Sequence, residues 1–361
     1  MFFLQNKESK CIHFIFSGTS SSRGGGAALW RLLLSFPPRE VWLHYSSYAR
    51  TLWEEVQHPF LHHVIHEGWG THEHAPTPFP WKNRKGFDLS KIGGNDIVIF
   101  DSREALQQLA LPLSQKGVRL FWHMQSRERV LRKKLWITPW DMACYRRLSG
   151  IVAISEFVRR AFTKDPLYVF AGKNIRWEVI PNGIVSSFER IEAEKDFVLY
   201  YGRYEGYKNP LFLEKLGCEV RYIGAKAGCA VPVSVPEEKD LGWMKPEEAA
   251  KWGDIFVFPA IGEAFGLALV EMMSYGKIVI AFRSGAFPEI IEDGVDGFLV
   301  EPFDVKATRE VIERVRNSSE LKKRISEAAQ RKAMRYREDE YRTCFWESVS
   351  RMVRGEFGRE D

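Results

Sequence analysis

Across both halves of this 361-residue chain, short apolar runs alternate with longer segments of helical character, and that alternation narrows the fold more than any other feature. Runs rich in Val, Ile and Phe read as strands buried on both faces. Strands separated by helices need crossover connections, and so pair in parallel. In the first half the strands are Cys11-Ile-His-Phe-Ile-Phe16, Val41–Tyr45, Asp96–Phe100, Arg119–Trp122 and Gly150–Ile154, with Ala27–Leu34 a helix after the first. The second half supplies Asp196–Tyr201, Glu219–Ile223, Asp254–Phe258, Lys277–Phe282 and Gly297–Val300. Between them, Val179-Ile-Pro-Asn-Gly-Ile184 is turn chemistry, and a charged stretch from Glu189 to Lys195 completes a linker.

The expected class is α/β in two domains, because single cores stop growing near roughly 250 residues. Residues 1–185 form the first domain and 186–336 the second. The closing segment, 337–361, reads as a charged helix. Its stripe of Tyr341, Phe345, Trp346, Val349 and Val353 suits packing on a domain surface.

Charge is divided unequally. Residues 1–190 hold 26 Lys and Arg against 16 Asp and Glu, a net of +10, whereas the remainder holds 26 against 31, a net of −5. A basic first half is expected to meet something anionic. Its densest patch is Arg127-Glu-Arg-Val-Leu-Arg-Lys-Lys134, near Trp122, Trp136 and Trp140. The patch reads either as a solvated helix face or as a docking surface for anionic lipid head groups or an acidic acceptor. The five cysteines include no CxxC pair, which fits reduced thiols and neither a disulfide frame nor a zinc site. No apolar stretch approaches the roughly 20 residues of a membrane span, so the expected location is cytoplasmic, with peripheral membrane contact through the basic patch.

Three features converge on phosphate. Gly202-Arg203-Tyr-Glu-Gly-Tyr-Lys208-Asn209 follows the opening strand of the second domain, and puts two cations on a glycine-containing loop at a strand's carboxyl end. Arg offers a planar fork and Lys a point charge for a diphosphate. A helix begins near Phe265-Gly266-Leu267, where free main-chain N–H groups suit an anion and Gly266 permits close approach. The third is Ser20-Ser-Ser-Arg-Gly24-Gly25-Gly26, which is neither GxGxxG nor a P-loop. It reads as a flexible turn or as a bare backbone wall, with Gly25 and Gly26 facing the ligand.

Around that helix start stand two acids, Glu263 and Glu271, eight positions apart. Eight helical residues rise about 12 Å, more than the roughly 5–9.5 Å that separates a glycosidase's carboxyl pair. The two acids therefore fit opposite ends of one extended ligand, such as the sugar and the ribose flanking a diphosphate. No Asp-x-Asp occurs in the chain. Arg203, Lys208 and the helix end are then expected to neutralise a departing diphosphate, with no metal.

Six of the nine histidines fall between His58 and His74. His62 and His66 could ligate zinc from one helix face. Leu61-His-His-Val-Ile-His66 reads better as a strand, leaving a cleft wall or solvated loop residues as the other roles.

These motifs resemble the retaining GT-B glycosyltransferases of family 4, the glycosyl transferases group 1. The matching pieces are Glu263…Glu271, Gly202-Arg203…Lys208-Asn209, Ser284–Ile291, Asp293–Val300, Val152–Val158 and Ile180–Ile184, all in the family's order. The resemblance implies two Rossmann-like domains facing a deep cleft, with a terminal helix that crosses back to the first. It also implies a nucleotide-sugar donor such as a UDP- or GDP-hexose, a hydroxyl acceptor, no cofactor and no nucleic acid. By this likeness Glu271 takes the ribose, Arg203 and Lys208 the diphosphate, and Glu263 a sugar hydroxyl. Amides of Phe265, Gly266 and Leu267 join them, and Gly242-Trp-Met244 lies where base contacts fall. His123, in Phe121-Trp-His-Met124, looks like the family's histidine beside the donor sugar. One departure is Ala27-Ala28, where many members carry an acidic residue. An epimerase or phosphorylase on the same fold, or a non-catalytic basic binding module, are the other readings of these residues.

Overall fold

The computed structural model describes residues 10–16, 33–35, 37–46, 49–67, 69, 86–125, 138–164, 175–226 and 231–358. The glycine run with Gly25 and Gly26, the patch Arg127–Lys134, and His72 and His74 lie outside the described residues. The chain divides into two compact units. One comprises Met1–Ile154, Val158–Ile180 and Arg342–Asp361, the other Ser155–Phe157 and Pro181–Tyr341.

In the first unit the strands are β1 (Ile12–Phe16), β2 (Val41–Ser46), β3 (Leu61–His66), β4 (Ile97–Phe100), β5 (Arg119–Met124), β6 (Leu148–Ala153) and β7 (Arg176–Val179). They form one parallel sheet in the order β3-β2-β1-β4-β5-β6-β7. Each residue of β1 and β4 is buried, as expected for a sheet covered on both faces. The edge strand β7 falls partly where the sequence suggests a linker. Its Arg-Trp-Glu-Val run is exposed or half-buried throughout, so it carries no apolar signature. The terminal helix Glu338–Arg354 supplies residues 342–354 to this unit. Phe345 is fully buried, its ring 6.2 Å from Phe14, and Phe357 meets Phe121 at 5.2 Å. Arg351 donates to both oxygens of Glu178, at 3.0 and 2.7 Å. Of the stripe, Phe345, Trp346 and Val349 are buried, and Val353 is half-buried.

The second unit holds β8 (Val198–Arg203), β9 (Val220–Ala225), β10 (Ile255–Phe258), β11 (Ile278–Phe282) and β12 (Phe298–Val300), all parallel, in the order β12-β11-β10-β8-β9. Here the chain starts in the interior of the sheet, at β8, moves out to β9 on one side, then returns to build β10, β11 and β12 on the other. The order therefore reverses between β8 and β10. In open α/β sheets such a switch point, at the carboxyl ends of the strands, is where ligands bind. Beneath it, Val198, Tyr200, Val257, Ile280, Phe282 and Ile312 belong to one buried apolar cluster. Helices Val305–Arg316 and Ser319–Ala333 start from side-chain caps at Asp304 and Ser318.

Candidate functional site

The loops leaving β8 and β10 meet at this switch point, and specific bonds fasten them to each other. β8 ends in Gly202-Arg203, where the buried Tyr200 hydroxyl donates to the Arg203 carbonyl at 2.6 Å. A short turn, Gly206–Lys208, follows. It is held from behind by Glu205, whose buried carboxylate accepts from the Val231 amide at 2.6 Å. Asn209 then takes the left-handed conformation (φ 48°), which asparagine tolerates better than most residues. Its side-chain amide donates to Tyr207 O at 3.0 Å and Pro259 O at 3.1 Å, and the Ile261 amide donates to Tyr207 O at 2.8 Å. The Lys208 turn is thus tied to the segment after β10.

Glu263 lies on that segment, ahead of the helix Leu267–Ser274. The helical-rise argument for the two acids therefore does not apply as stated, because only the last part of the interval is helical. Glu263 is fixed by its main chain. The Ala286 amide donates to its carbonyl at 2.9 Å, and the Ser284 hydroxyl accepts from Gly262 N at 3.0 Å. Gly285 (φ 65°) is required between them, since a Cβ there would collide with the Glu263 backbone. Gly266 (φ 110°) has a similar constraint: a Cβ would lie 2.7 Å from the buried Phe287 ring. Gly266 is also the N-cap of the helix and offers no side chain to it, so the first-turn N–H groups have no side-chain cap.

The decisive geometry is the ion pair between Lys208 Nζ and Glu263 Oε2, at 2.6 Å, with the two side chains only 18% and 13% exposed. Burial works against the Lys208 ammonium, but Glu263, Tyr207 and Tyr200 outweigh it and push its pKa above the ordinary lysine value. Lys208 and Glu263 share one small pocket with Tyr200, Pro259, Gly266 and Phe287. Sequence reasoning assigned the pair to separate parts of a ligand; the structure bonds them to each other.

Glu271 sits half-buried on the same helix. Burial first, and Glu247 second, push its carboxyl up to about 7. Glu247 comes from the short helix Pro246–Ala249, and Tyr201 and Tyr275 complete the surroundings, both with raised hydroxyl pKa values. Before that helix, Gly242 N donates to Asp240 Oδ1 at 2.9 Å and Gly242 O accepts from Gly224 N at 3.0 Å, pinning the loop to β9. Met244 is half-buried there, while Trp243 is 68% exposed.

Of the other expected site residues, Arg203 and Leu267 are half-buried, and Phe265 is buried with its ring edge-on to Tyr336 at 5.5 Å. None of the three lines the pocket with Lys208. His123 belongs to β5 of the first unit, is completely buried, and lies 5.1 Å from the Phe345 ring and 2.9 Å from Gln125 Nε2. Burial lowers its pKa to about 3. Sequence reasoning quoted Ser155 and Glu289 within motifs but gave them no task. The Ser155 hydroxyl donates to Ala264 O at 2.7 Å, and the Glu289 carboxylate accepts from the amides of Glu156 and Phe157. Both fasten Ser155–Phe157 into the second unit, beside the Glu263 loop.

Known proteins match this same region. Residues 241–332 fit the profile of glycosyl transferases group 1. This segment belongs to that family. A sucrose synthase of Acidithiobacillus caldus is 46% identical over 92 residues, 24% of this chain and 12% of that protein. Sulfoquinovosyl transferase SQD2 of Arabidopsis thaliana is 32% identical over 106 residues, 26% of this chain and 21% of that protein. The aligned stretches thus span a small part of these curated relatives.

Likeness in fold runs much further than the group 1 segment. Anabaena Alr3699/HepE, solved in complex with UDP, has a TM-score of 0.72 at 17% identity, covering 94% of this chain and 99% of that one. Sucrose-phosphate synthase from Thermosynechococcus elongatus reaches 0.74 at 12% identity, covering 96% and 100%. The fold is GT-B, as the group 1 motifs imply.

Proposed function

We propose that the chain is a retaining glycosyltransferase that moves a hexose from a nucleoside-diphosphate sugar to a hydroxyl acceptor without a metal. The observation that carries this reading is the buried Lys208–Glu263 pair at the switch point, beside an uncapped helix start. An ammonium has three donors. One is spent on Glu263, and two remain for diphosphate oxygens, with Arg203 supplying further donors from the end of β8. Glu263 keeps its other oxygen for a hydroxyl of the transferred sugar, so the lysine that neutralises the leaving group also orients the acid that positions the sugar.

Glu271 takes the two ribose hydroxyls in this reading. Those hydroxyls are donors, and an ionised carboxylate is the acceptor that suits both. Amides of Phe265, Gly266 and Leu267 complete the diphosphate cradle, and the Gly242–Met244 loop borders the base. Retention follows from front-face attack, in which the leaving phosphate oxygen takes the acceptor's proton while the two cations hold the phosphate in place. His123, which the resemblance sets beside the donor sugar, is a neutral imidazole: with its pKa near 3 it carries no charge at working pH. One structural neighbour supports the donor class, since Alr3699/HepE was solved in complex with UDP and with UDP-glucose.

The test is a thermal-shift panel of UDP-, GDP- and ADP-sugars. One nucleotide class should raise the unfolding temperature, since a ligand of the native state stabilises it by mass action. Glu271→Ala should weaken that response, and EDTA should leave donor hydrolysis unchanged. An equal response to all classes, or activity only with added manganese, overturns the reading.

A further inference from the structure

The first unit contains a buried chain of imidazoles. His13 is on β1, His44 on β2 and His66 on β3, exposed by 1%, 0% and 2%. His13 Nδ1 lies 2.9 Å from His44 Nε2, and His44 Nδ1 lies 2.9 Å from His66 Nε2. The register explains the alignment. His13 pairs with Trp42, two residues before His44, and His44 pairs with Val64, two residues before His66. Each step to the next strand advances one side-chain repeat, so all three rings stay on one face. His13 Nε2 meets Asp96 Oδ2 at 3.3 Å at one end, and at the other the Asp88 amide donates to His66 Nδ1 at 3.0 Å.

That last bond fixes every proton in the chain. A main-chain N–H can only donate, so His66 Nδ1 accepts, and its proton must sit on Nε2. Nε2–H then donates to His44 Nδ1, which places the His44 proton on Nε2. By the same logic His44 donates to His13, and His13 donates to Asp96. All three rings are neutral, of one tautomer, and point one way. Both Asp96 oxygens already accept from main chain, Oδ1 from Cys11 N at 3.0 Å and Oδ2 from Gly93 N at 2.7 Å. Cys11, His13 and Asp96 lie close enough to bracket a cation. A metal on His13 Nε2, however, would require the reverse order of protons and two donors facing each other at Asp88.

An extra proton has one outlet. Placed on His13 Nδ1, it opposes His44 Nε2–H, and relief comes only if His44 shifts its own proton to Nδ1. The conflict then passes to His66 and ends as Nδ1–H facing the Asp88 amide. We propose that this histidine chain is an acid-sensitive latch, which in the neutral state holds Phe87 and Asp88 against the sheet and releases them when it takes up one proton.

What would be released is well defined. Phe87 stacks on His66 at 3.9 Å and on His44 at 5.6 Å, and Asp88 caps the turn Leu89–Lys91 through Ser90 N at 2.8 Å. The charged and titratable groups facing the chain are Asp96 and Cys11 at one end and Asp88, with Lys91 beyond it, at the other. Trp42 and Trp69 present neutral rings. Burial lowers all three imidazole pKa values: His13, although Asp96 partly offsets it; His44 well below its ordinary value, with its two neighbours adding; and His66 to about 4.

Two measurements on the whole chain test the latch. Long-range proton–nitrogen spectra of histidine-labelled protein at pH 7.5 should show His13, His44 and His66 all protonated at Nε2. Any of them protonated at Nδ1 overturns the proposal. Amide exchange followed by mass spectrometry, normalised for intrinsic rate, should show protection at Phe87–Asp88 falling roughly tenfold per pH unit between pH 6 and 5, as expected while the protonated fraction is small. Strand β1 should keep its protection. Constant protection at Asp88, or loss in step with β1, refutes a local latch. His66→Phe, which keeps the ring stack and removes the acceptor, should abolish the pH dependence; if that variant does not fold, the measurements on the natural chain still decide.

Discussion

Replacing Lys208 by methionine keeps most of the side chain's volume and removes only its charge, which isolates the ion pair with Glu263. In the natural chain the two charged groups are 2.6 Å apart and 18% and 13% exposed, so water screens them weakly. Removing one partner leaves a carboxylate buried without its cation, a change that costs on the order of 3–5 kcal/mol. For a folding unit of this size that corresponds to a fall of roughly 10 °C in midpoint. Because partnership raises the Lys208 pKa, the contribution is fully present below the ordinary value of 10.5 and is lost only as pH rises through the higher folded value, so the loss should be flat between pH 6 and 8. The assay is thermal and urea unfolding of the natural chain, Lys208→Met, Glu263→Gln and the double variant. The double variant should recover at least about 2 kcal/mol relative to Lys208→Met, because no buried charge is then left alone. A loss below about 1 kcal/mol for Lys208→Met, the range of exposed pairs, or strict additivity in the cycle, refutes the view that this pair organises the site.

Two further outcomes follow. Glu271 has a raised pKa near 7, so folding alone binds a proton there and the folded state loses stability as pH rises from 4.5 to 7; a donor that needs the ionised acid should bind roughly tenfold more tightly at pH 8 than at pH 6. Calorimetry with an intact nucleotide sugar checks this, and Glu271→Gln should flatten the profile; a flat profile in the natural chain contradicts the ribose assignment. Gly266→Ala places a methyl 2.7 Å from Phe287 at a backbone angle of φ 110°, so it should reduce stability by about 1–3 kcal/mol and weaken donor binding. Unchanged unfolding and calorimetry would show that the helix start is not constrained as described.

Much of this was legible because parallel strands buried on both faces write themselves as apolar runs. β8, β10 and β11 read that way, and the motif loops follow directly at their ends. β7 was lost for the opposite reason, since Arg176–Val179 is an edge segment with little buried surface. The site residues were legible as types but not as partners. Nothing in the spacing of Lys208 and Glu263 announces an ion pair, because Asn209 and Ser284–Ala286, far apart in sequence, create it. The histidines near residue 60 suggested a metal, a cleft wall or solvated loop residues. His66 instead continues a chain begun by His13 and His44, two residues that no local pattern connects to it, and only the register of β1, β2 and β3 brings them together.

The central claim is that the second unit grips a sugar nucleotide by its diphosphate through Lys208 and Arg203, with Glu271 on the ribose. A crystal structure with an unhydrolysed nucleotide sugar tests it most directly. The account predicts Lys208 Nζ within hydrogen-bond distance of both Glu263 and a phosphate oxygen, Arg203 on the diphosphate, and both ribose hydroxyls on Glu271. A nucleotide sugar bound away from the loops after β8 and β10, with the Lys208–Glu263 pair untouched by it, would contradict the account.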